Sequence, residues 1–434
     1  MNTLNKPGNS GWTNEGVIMA IDESLVQTVN GKKYISTSLL EQLLNDRDYS
    51  IRRIKHATEM RNKQRLAQYG EKIAYPDEFQ KYGELADVFM EPYVSGFTLD
   101  LYGSMRCQYG AIGSPVSLLS PLLYRGEIKD YGNSSGYSSL GRKIAFGDGK
   151  HVESKCIHFF KEQIRKILFM GFLTHFRQFH EFPFGEPLDG VLAQHYGLDT
   201  QFIDLTDDLK VALFFACCKH MGNNKYRPIT QDDITQIGTD GVIICGSNKL
   251  ARVIGYQPFC RCHRQRGYYI DSSSIYPCWD YCLSENNGFV KYYFKRTPEL
   301  SQRIFAEFDG GRYLFPEDDL FPFLDIVDRI KKANEIPVGA FDCAYTICKL
   351  YFGEYKKKNV IQDDLYTFLL DRNALMEKLQ NVGLRFCEQL SVAGIKTLIE
   401  SVNEKWNPEE FAKAEGIEFS PFYVLTEHPS ENMW

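Results

Sequence analysis

Hydrophobic residues return at spacings of three and four along Ile157, Phe160, Ile164, Ile167, Leu168 and Phe172, which predicts an amphipathic core helix starting near Glu153. The longest apolar run, Val211 to Cys218, predicts a buried helix over LKVALFFACCKH, capped by Thr206 or Asp207 and ending before GNN. Just ahead of it, DGVLAQHY reads as a short helix with Asp189 as N-cap and Gly197 as the residue past its end, and QFIDL as a short strand. LLYRGE, GVIICG and GFVKYYFKR read as further strands. Thr297-Pro298-Glu299 is a helix start with N-cap, proline and first-turn carboxylate, and Asn407-Pro408-Glu409-Glu410 repeats that logic with Gly416 as the stop.

The stretch from 317 to 406, including LMEKLQNVG, is mostly helical in pattern, and near Gly103 SMRCQYGAIGSPVSLLSP is loop-like. At the other end, Ser36-Thr37-Ser38 can cap LLEQLLND, and the charged stretch that follows carries apolar residues only sparsely. The expected architecture is α+β, a mixed or antiparallel sheet flanked by helices. It divides into a polar helical annex (1–95), an α+β core (96–315) and a mainly helical C-terminal part (316–434).

Composition narrows the function more than the fold. At 434 residues, with 43% hydrophobic and 14% aromatic residues, the chain can build a large, ring-rich core. A net charge of −6 gives no global basic excess of the kind a nucleic-acid binder carries, although a local patch stays open. No basic start precedes an apolar core near the N-terminus, and no apolar run approaches the roughly 18 residues that span a bilayer, so a soluble, cytoplasmic protein without a membrane partner is expected. Among the 12 cysteines, Cys217, Cys218 and Cys245 sit in apolar runs, which reads as reduced thiols. No G-x4-G-K-[ST], G-x-S-x-G or H-E-x-x-H pattern is present.

The chemistry concentrates at two places. His195 and Tyr196 end the short helix, and Asp199, Asp204 and Asp207 follow within nine positions, more acid than one helix cap requires. His195 either serves a ligand hydroxyl or a proton, or is satisfied by Asp204, and Tyr196 offers a stacking ring. With magnesium the three aspartates would suit a nuclease. The second place is RCHRQRGYY, where Arg261, His263, Arg264 and Arg266 form a basic cluster beside Tyr268 and Tyr269, a combination suited to phosphate, nucleotide or nucleic-acid backbone. Cys260, Cys262 and His263, with Cys278 and Cys282, are possible zinc ligands at looser spacing than the paired C-x2-C pattern.

Three segments in order, Tyr124-Arg125-Gly126, LAQHYGLDTQFIDLTDDLKVALFFA (192–216) and RCHRQRGYY (261–269), resemble the FRG domain, a family named for a Phe-Arg-Gly signature that often begins with Tyr. The middle segment is the most specific, and KLQNVGLRFCEQLSVAGIKTLIE extends a weaker likeness, so the resemblance covers roughly residues 100 to 403. Asp199 stands where the family usually has Pro, Gln201 where it has Arg and Leu205 where it has Trp. The resemblance implies a cytosolic bacterial or phage-borne protein linked to defence or toxin systems.

The first motif is also similar to that of ADP-ribosyltransferases of the Arg-Ser-Glu class, which implies NAD as substrate and a protein or nucleic-acid acceptor. On that analogy Arg125 is catalytic and forks onto the pyrophosphate or holds the nicotinamide ribose, beside His195. Gln265 takes the place of the ribose-stabilising Glu, with Glu307 as a lower-ranked substitute. Tyr124, Gly126, Tyr196, Asp204, Arg261 and Tyr269 line the nucleotide. The bland reading of Arg125, bonding to carbonyls or to an aspartate of the middle segment, stands beside this. So does a non-catalytic nucleotide or nucleic-acid sensor or adaptor.

Overall fold

The computed structural model describes residues 26–36, 40, 94–99, 105–109 and 115–117, and residues 123–414 apart from 148–150, 183–186, 207, 223–224, 247–249, 255–256, 273–276 and 389–394. Eight strands form the central sheet: β1 (Val26–Val29), β2 (Lys32–Ile35), β3 (Leu123–Glu127), β4 (Phe202–Thr206), β5 (Asp240–Gly246), β6 (Ala251–Val253), β7 (Gly267–Asp271) and β8 (Phe289–Lys295). Their spatial order is β1-β2-β8-β5-β3-β4-β7-β6, and every pairing is antiparallel except that of β2 with β8. The sheet is therefore mixed and helix-flanked, as an α+β chain should be.

The central strand β5 buries both faces. Ile243 and Cys245 enter one apolar cluster, and Val242 and Ile244 enter another across the sheet. The first face is covered by α4 (Leu209–Cys217), whose Val211, Ala212, Leu213, Phe214 and Ala216 are all essentially inaccessible, as expected of a helix apolar all round. Beside it lie α3 (Asp189–His195), the single turn α5 (Arg261–Arg264) and α6 (Pro298–Glu307), which starts on the Thr297 cap and proline read from the sequence.

The long α2 (Val152–Leu173), which follows the short α1 (Ser139–Phe146), joins this core to the C-terminal helices α7 (Leu324–Lys331), α8 (Val338–Lys357), α9 (Asp363–Leu370) and α10 (Arg372–Asn381). Aromatic edges form that junction, with Phe159 6.0 Å from Trp279 and 5.1 Å from Tyr351. Among the described residues no helix is long and apolar enough to cross a membrane, and no disulfide joins the described cysteines.

Five local readings change, and the first is that the loop-like stretch near Gly103 carries strands at Met105–Tyr109 and Pro115–Ser117, in a small antiparallel sheet with Val94–Leu99. Of the helix expected after Ser36-Thr37-Ser38 only Leu40 is described, helical and with its N–H on Ser36 O at 3.0 Å, but just before it Val26–Val29 and Lys32–Ile35 form a hairpin where the sequence pattern suggested a helical annex. Its cause is Asn30-Gly31, both in the left-handed region (φ 51° and 75°), which is the two-residue turn that best matches strand twist. The buried helix α4 stops at Cys217, and residues 218–220 pair with 226–228 instead. Its last carbonyls are taken by side chains, Ala216 O by Arg296 and Cys217 O by Ser301, so the chain leaves the helix there. Its N-cap is Asp208, one residue past the expected pair, while Thr206 Oγ1 accepts from the Asp208 N–H and Asp207 lies outside the described residues. Asp189, similarly, is the first residue of α3 rather than its N-cap.

The hairpin is pinned to the sheet by Asp130, which accepts from Lys32 Nζ (3.0 Å), Tyr293 Oη (3.0 Å), Lys291 Nζ (3.4 Å) and the Gly132 N–H (2.9 Å). Burial opposes its ionisation, but these donors outweigh burial and lower its pKa from 3.8 to about 2. A carboxylate depressed in the folded state contributes its stability above pH 3.8 and loses it as pH falls through about 2. Protection from hydrogen exchange across 26–35, taken relative to the intrinsic exchange rate at each pH, is therefore expected to be high at pH 5 and low near pH 2, and Asp130→Asn should show low protection at both. High protection in the variant at pH 5 would show that the pin does not hold the hairpin.

Candidate functional site

The Tyr124-Arg125-Gly126 signature lies on β3, where alternation sends its residues to opposite faces. Tyr124 is buried against α4. Gly126 faces the same helix, and a Cβ there would stand 1.7 Å from the Ala212 carbonyl oxygen. The glycine serves the close approach of a helix rather than that of a ligand. Arg125 and Glu127 point the other way. Arg125 Nη1 donates to Asp204 O and Nη2 to Tyr137 O, each at 3.2 Å, while Nε stands 3.7 Å from Glu127 Oε1 without a hydrogen-bond partner.

This guanidinium bridges a weak seam, since β3 and β4 share a single pairing, Tyr124 with Thr206. Glu127 Oε1 accepts from Arg142 Nη2 (2.8 Å) and the Gly136 N–H (3.0 Å), and Arg142 lies 4.1 Å from the Tyr131 ring centroid. Glu127 Oε2 is buried without a partner.

His195 lies across the sheet. It ends α3, and its Nε2 stands 3.9 Å from Asp204 Oδ1, too far for a hydrogen bond; both atoms are buried and unpartnered. The His195 side chain is 4% exposed and that of Asp204 39%, so the pair joins interior to surface. Burial pushes the imidazole pKa down and Arg261 adds to that, against the opposite pull of Asp204 and Gln265, so His195 is held neutral at neutral pH.

Next to it, Tyr196 is fully buried and donates to Asp318 Oδ2; burial and that carboxylate push its pKa up. Gly197, at φ 86°, closes the helix as expected. Arg261, 1% exposed, lies 3.9 Å over the Tyr196 ring, with Nε 3.7 Å from Asp318 Oδ2. Arg261 Nε and Nη1 have no hydrogen-bond partner. Gln265 is buried and donates to Leu314 O at 3.1 Å. Tyr269 sits opposite Asp204 on β7, its ring 5.5 Å from Phe202 in the apolar cluster.

The structure thus brings together His195, Tyr196, Asp204, Arg261 and Gln265, and places Arg125 on the other side of the sheet with Tyr124 and Gly126 turned to α4. Asp199 pairs with Lys143 at the surface, away from Asp204, so these two do not form one acidic site. Glu307 ends α6 and pairs with Lys210. RCHRQRGYY is not one exposed patch, because Arg261, Tyr268 and Tyr269 are interior. Cys262 and Cys278 belong to different apolar clusters, and among the described residues no three His, Cys, Asp or Glu side chains converge as metal ligands.

Two participants escape the sequence. Glu127 shares Arg125's face by simple strand alternation and was open to discovery; Asp318, 122 residues from Tyr196, carries no local signal.

A mixed sheet flanked by helices, whose short α3 helix and β4 strand bring ionisable side chains together, defines an α+β domain with a cluster of buried polar side chains. Residues 120–225 match the family model of the FRG domain, and the chain is an FRG domain-containing protein. The match takes in Arg125, His195 and Asp204, and α5 lies beyond it. No curated protein and no solved structure matches the chain.

Proposed function

We propose that this FRG domain binds a nucleotide, NAD in the first instance, at the α3–β4–α5 side of the sheet, and that it does so as a recognition module without turnover. The observation that carries this reading is the cluster of buried polar atoms without partners: His195 Nε2, Asp204 Oδ1, Arg261 Nε and Arg261 Nη1. Buried polar groups are normally hydrogen-bonded, and each that is not costs about 1–3 kcal/mol. A ligand that offers an anion to Arg261 and hydroxyls to Asp204 and His195 would remove those costs together. A ribose phosphate has both. Entry from the Asp204 side agrees with the exposure of that carboxylate.

The absence of turnover rests on Gln265. Its amide is neutral and donates to Leu314 O, so it supplies no charge for an oxocarbenium-like ribose, where charge is usually the larger effect. ADP-ribosyl transfer to a protein or nucleic-acid acceptor is the second reading, and a defence or toxin role goes with it. One observation favours it, a neutral imidazole beside a carboxylate, which is the arrangement of a general base.

Calorimetric titration of the full chain with NAD and with ADP-ribose, alongside an assay for released nicotinamide, tests both. Wild type is expected to bind without releasing nicotinamide, and His195→Ala to bind at least tenfold more weakly, about 1.4 kcal/mol. Nicotinamide release by wild type would establish the transferase reading in its place. Binding of neither compound would reject both.

A further inference from the structure

Arg261 is an unsatisfied cation held in the interior. Two of its donors, Nε and Nη1, have no acceptor although the residue is 1% exposed. Its nearest anion, Asp318, is not arranged to serve it: Oδ2 accepts from Tyr196 Oη and Oδ1 from the Leu320 N–H at 3.2 Å, so both oxygens are engaged while Arg261 Nε stays 3.7 Å away. Asp318 belongs to the run Pro316-Glu317-Asp318-Asp319 and is the one acid of the three whose side chain points fully inward, at 3% exposed. On the chain around it, Gln178 Nε2 holds Asp319 (2.7 Å) and Gln265 Nε2 holds Leu314 O (3.1 Å). The segment is anchored at its ends, where Leu314 and Leu320 are fully buried in separate apolar clusters, and the stretch between them lies on a site whose cation is left half-served.

We propose that Arg261 is the anion-binding group of the site and that Asp318 is an internal carboxylate occupying the place of the ligand's phosphate, so that the stretch between the Leu314 and Leu320 anchors yields when a pyrophosphate-bearing ligand binds. The guanidinium suits the task. It is always charged, its donors are fixed in one plane, and its stacking on Tyr196 sets that plane in place. Asp318 keeps the buried cation from standing wholly unpaired when no ligand is present, which would be strongly unfavourable. Because its own hydrogen bonds go to Tyr196 and Leu320, it can leave without breaking a hydrogen bond to Arg261. The proposal rests on the nucleotide-binding reading for its class of ligand, and on the Arg261–Asp318 geometry for everything else.

Inorganic pyrophosphate, titrated calorimetrically into the full chain, is the direct probe. Asp318→Asn keeps the side-chain shape and an acceptor for Tyr196 while removing the competing charge, and it is expected to bind pyrophosphate at least tenfold more tightly than wild type. Arg261→Gln added to that variant should abolish the gain. If the double variant does not fold, the comparison of wild type with Asp318→Asn still decides. Hydrogen exchange across 314–320 is expected to speed up in wild type on addition of pyrophosphate.

Equal pyrophosphate affinities in wild type and Asp318→Asn, or no binding by either, would overturn the proposal. The two readings fail separately. NAD binding that depends on His195 but not on Asp318 would keep the nucleotide reading and remove the internal carboxylate. Tighter pyrophosphate binding in Asp318→Asn, with no NAD binding by either protein, would do the reverse.

Discussion

Gly126→Ala is expected to cost about 3 kcal/mol or more, above the usual range for overpacking, because the added methyl meets backbone and not a side chain that can turn aside. The new Cβ would stand 1.7 Å from Ala212 O, 2.7 Å from Ala212 C and 3.0 Å from Ala216 N, so α4 must lift as a unit from β3. That movement strips Val211, Phe214 and Tyr124 of their shared contacts. At about 2–4 °C per kcal/mol, the thermal midpoint should fall on the order of 10 °C, or the protein should fail to accumulate in soluble form. Gly171→Ala is the control. A Cβ at this exposed position in the last turn of α2 meets nothing within 4 Å, and replacing a helical glycine there should gain up to roughly 0.5–1 kcal/mol. Equal melting of Gly126→Ala and wild type would mean that the glycine of the signature is not there for the helix.

Arg296→Met carries a comparable loss for a different reason. Arg296 is 3% exposed and donates to three carbonyls from separate parts of the fold: Ile128 after β3, Ala216 at the end of α4 (3.2 Å) and Gly238 before β5 (2.7 Å). Methionine fills much of the volume but donates nothing. One buried acceptor and two half-buried ones lose their partner, so a total loss on the order of 2–4 kcal/mol is expected, read as a lower urea midpoint with an unchanged slope. Arg296→Lys should recover only part of this, because one ammonium cannot reach three divergent carbonyls as a planar fork does. Full recovery by lysine would show that charge matters here and the hydrogen bonds do not.

Both residues show how differently a sequence exposes its reasons. Gly126 belongs to a visible motif, yet the residue that requires it, Ala212, lies 86 positions on, so the motif announces a constraint without its direction. Arg296 stands at the charged end of a strand pattern, and its buried role depends on a helix end and two loops meeting at one point. The Asn30-Gly31 turn was legible all along, since the two residues that need left-handed backbone are adjacent in sequence and flanked by VQTV and KKYI. The one-residue error at the α4 cap has a local cause too, because Thr206, Asp207 and Asp208 are all good caps and only the register of β4 picks among them.

The site divides along the same line. That His195 and Asp204 lie close follows from a short helix, a glycine turn and a strand of five residues, a path too short to separate them far. Whether Arg125 joins them depends on which face of β3 it occupies, and strand alternation sends it away. Arg261 belongs to a basic cluster in the sequence, and charge alone would place it at the surface. Asp318 and the Tyr196 ring, brought from 57 residues downstream and 65 upstream of Arg261, make its burial possible.

What the sequence by itself determined is local: the strands and helices with period, cap and turn in one short window, the FRG signature, and the meeting of His195 with Asp204. Tertiary structure alone decided which face each polar side chain took, that Gly126 answers to a helix, and that Arg261 lies inside beside Asp318. The physical reason is range. Periodicity and capping act within a few residues, whereas burial and ion pairing depend on which distant segment comes to lie alongside.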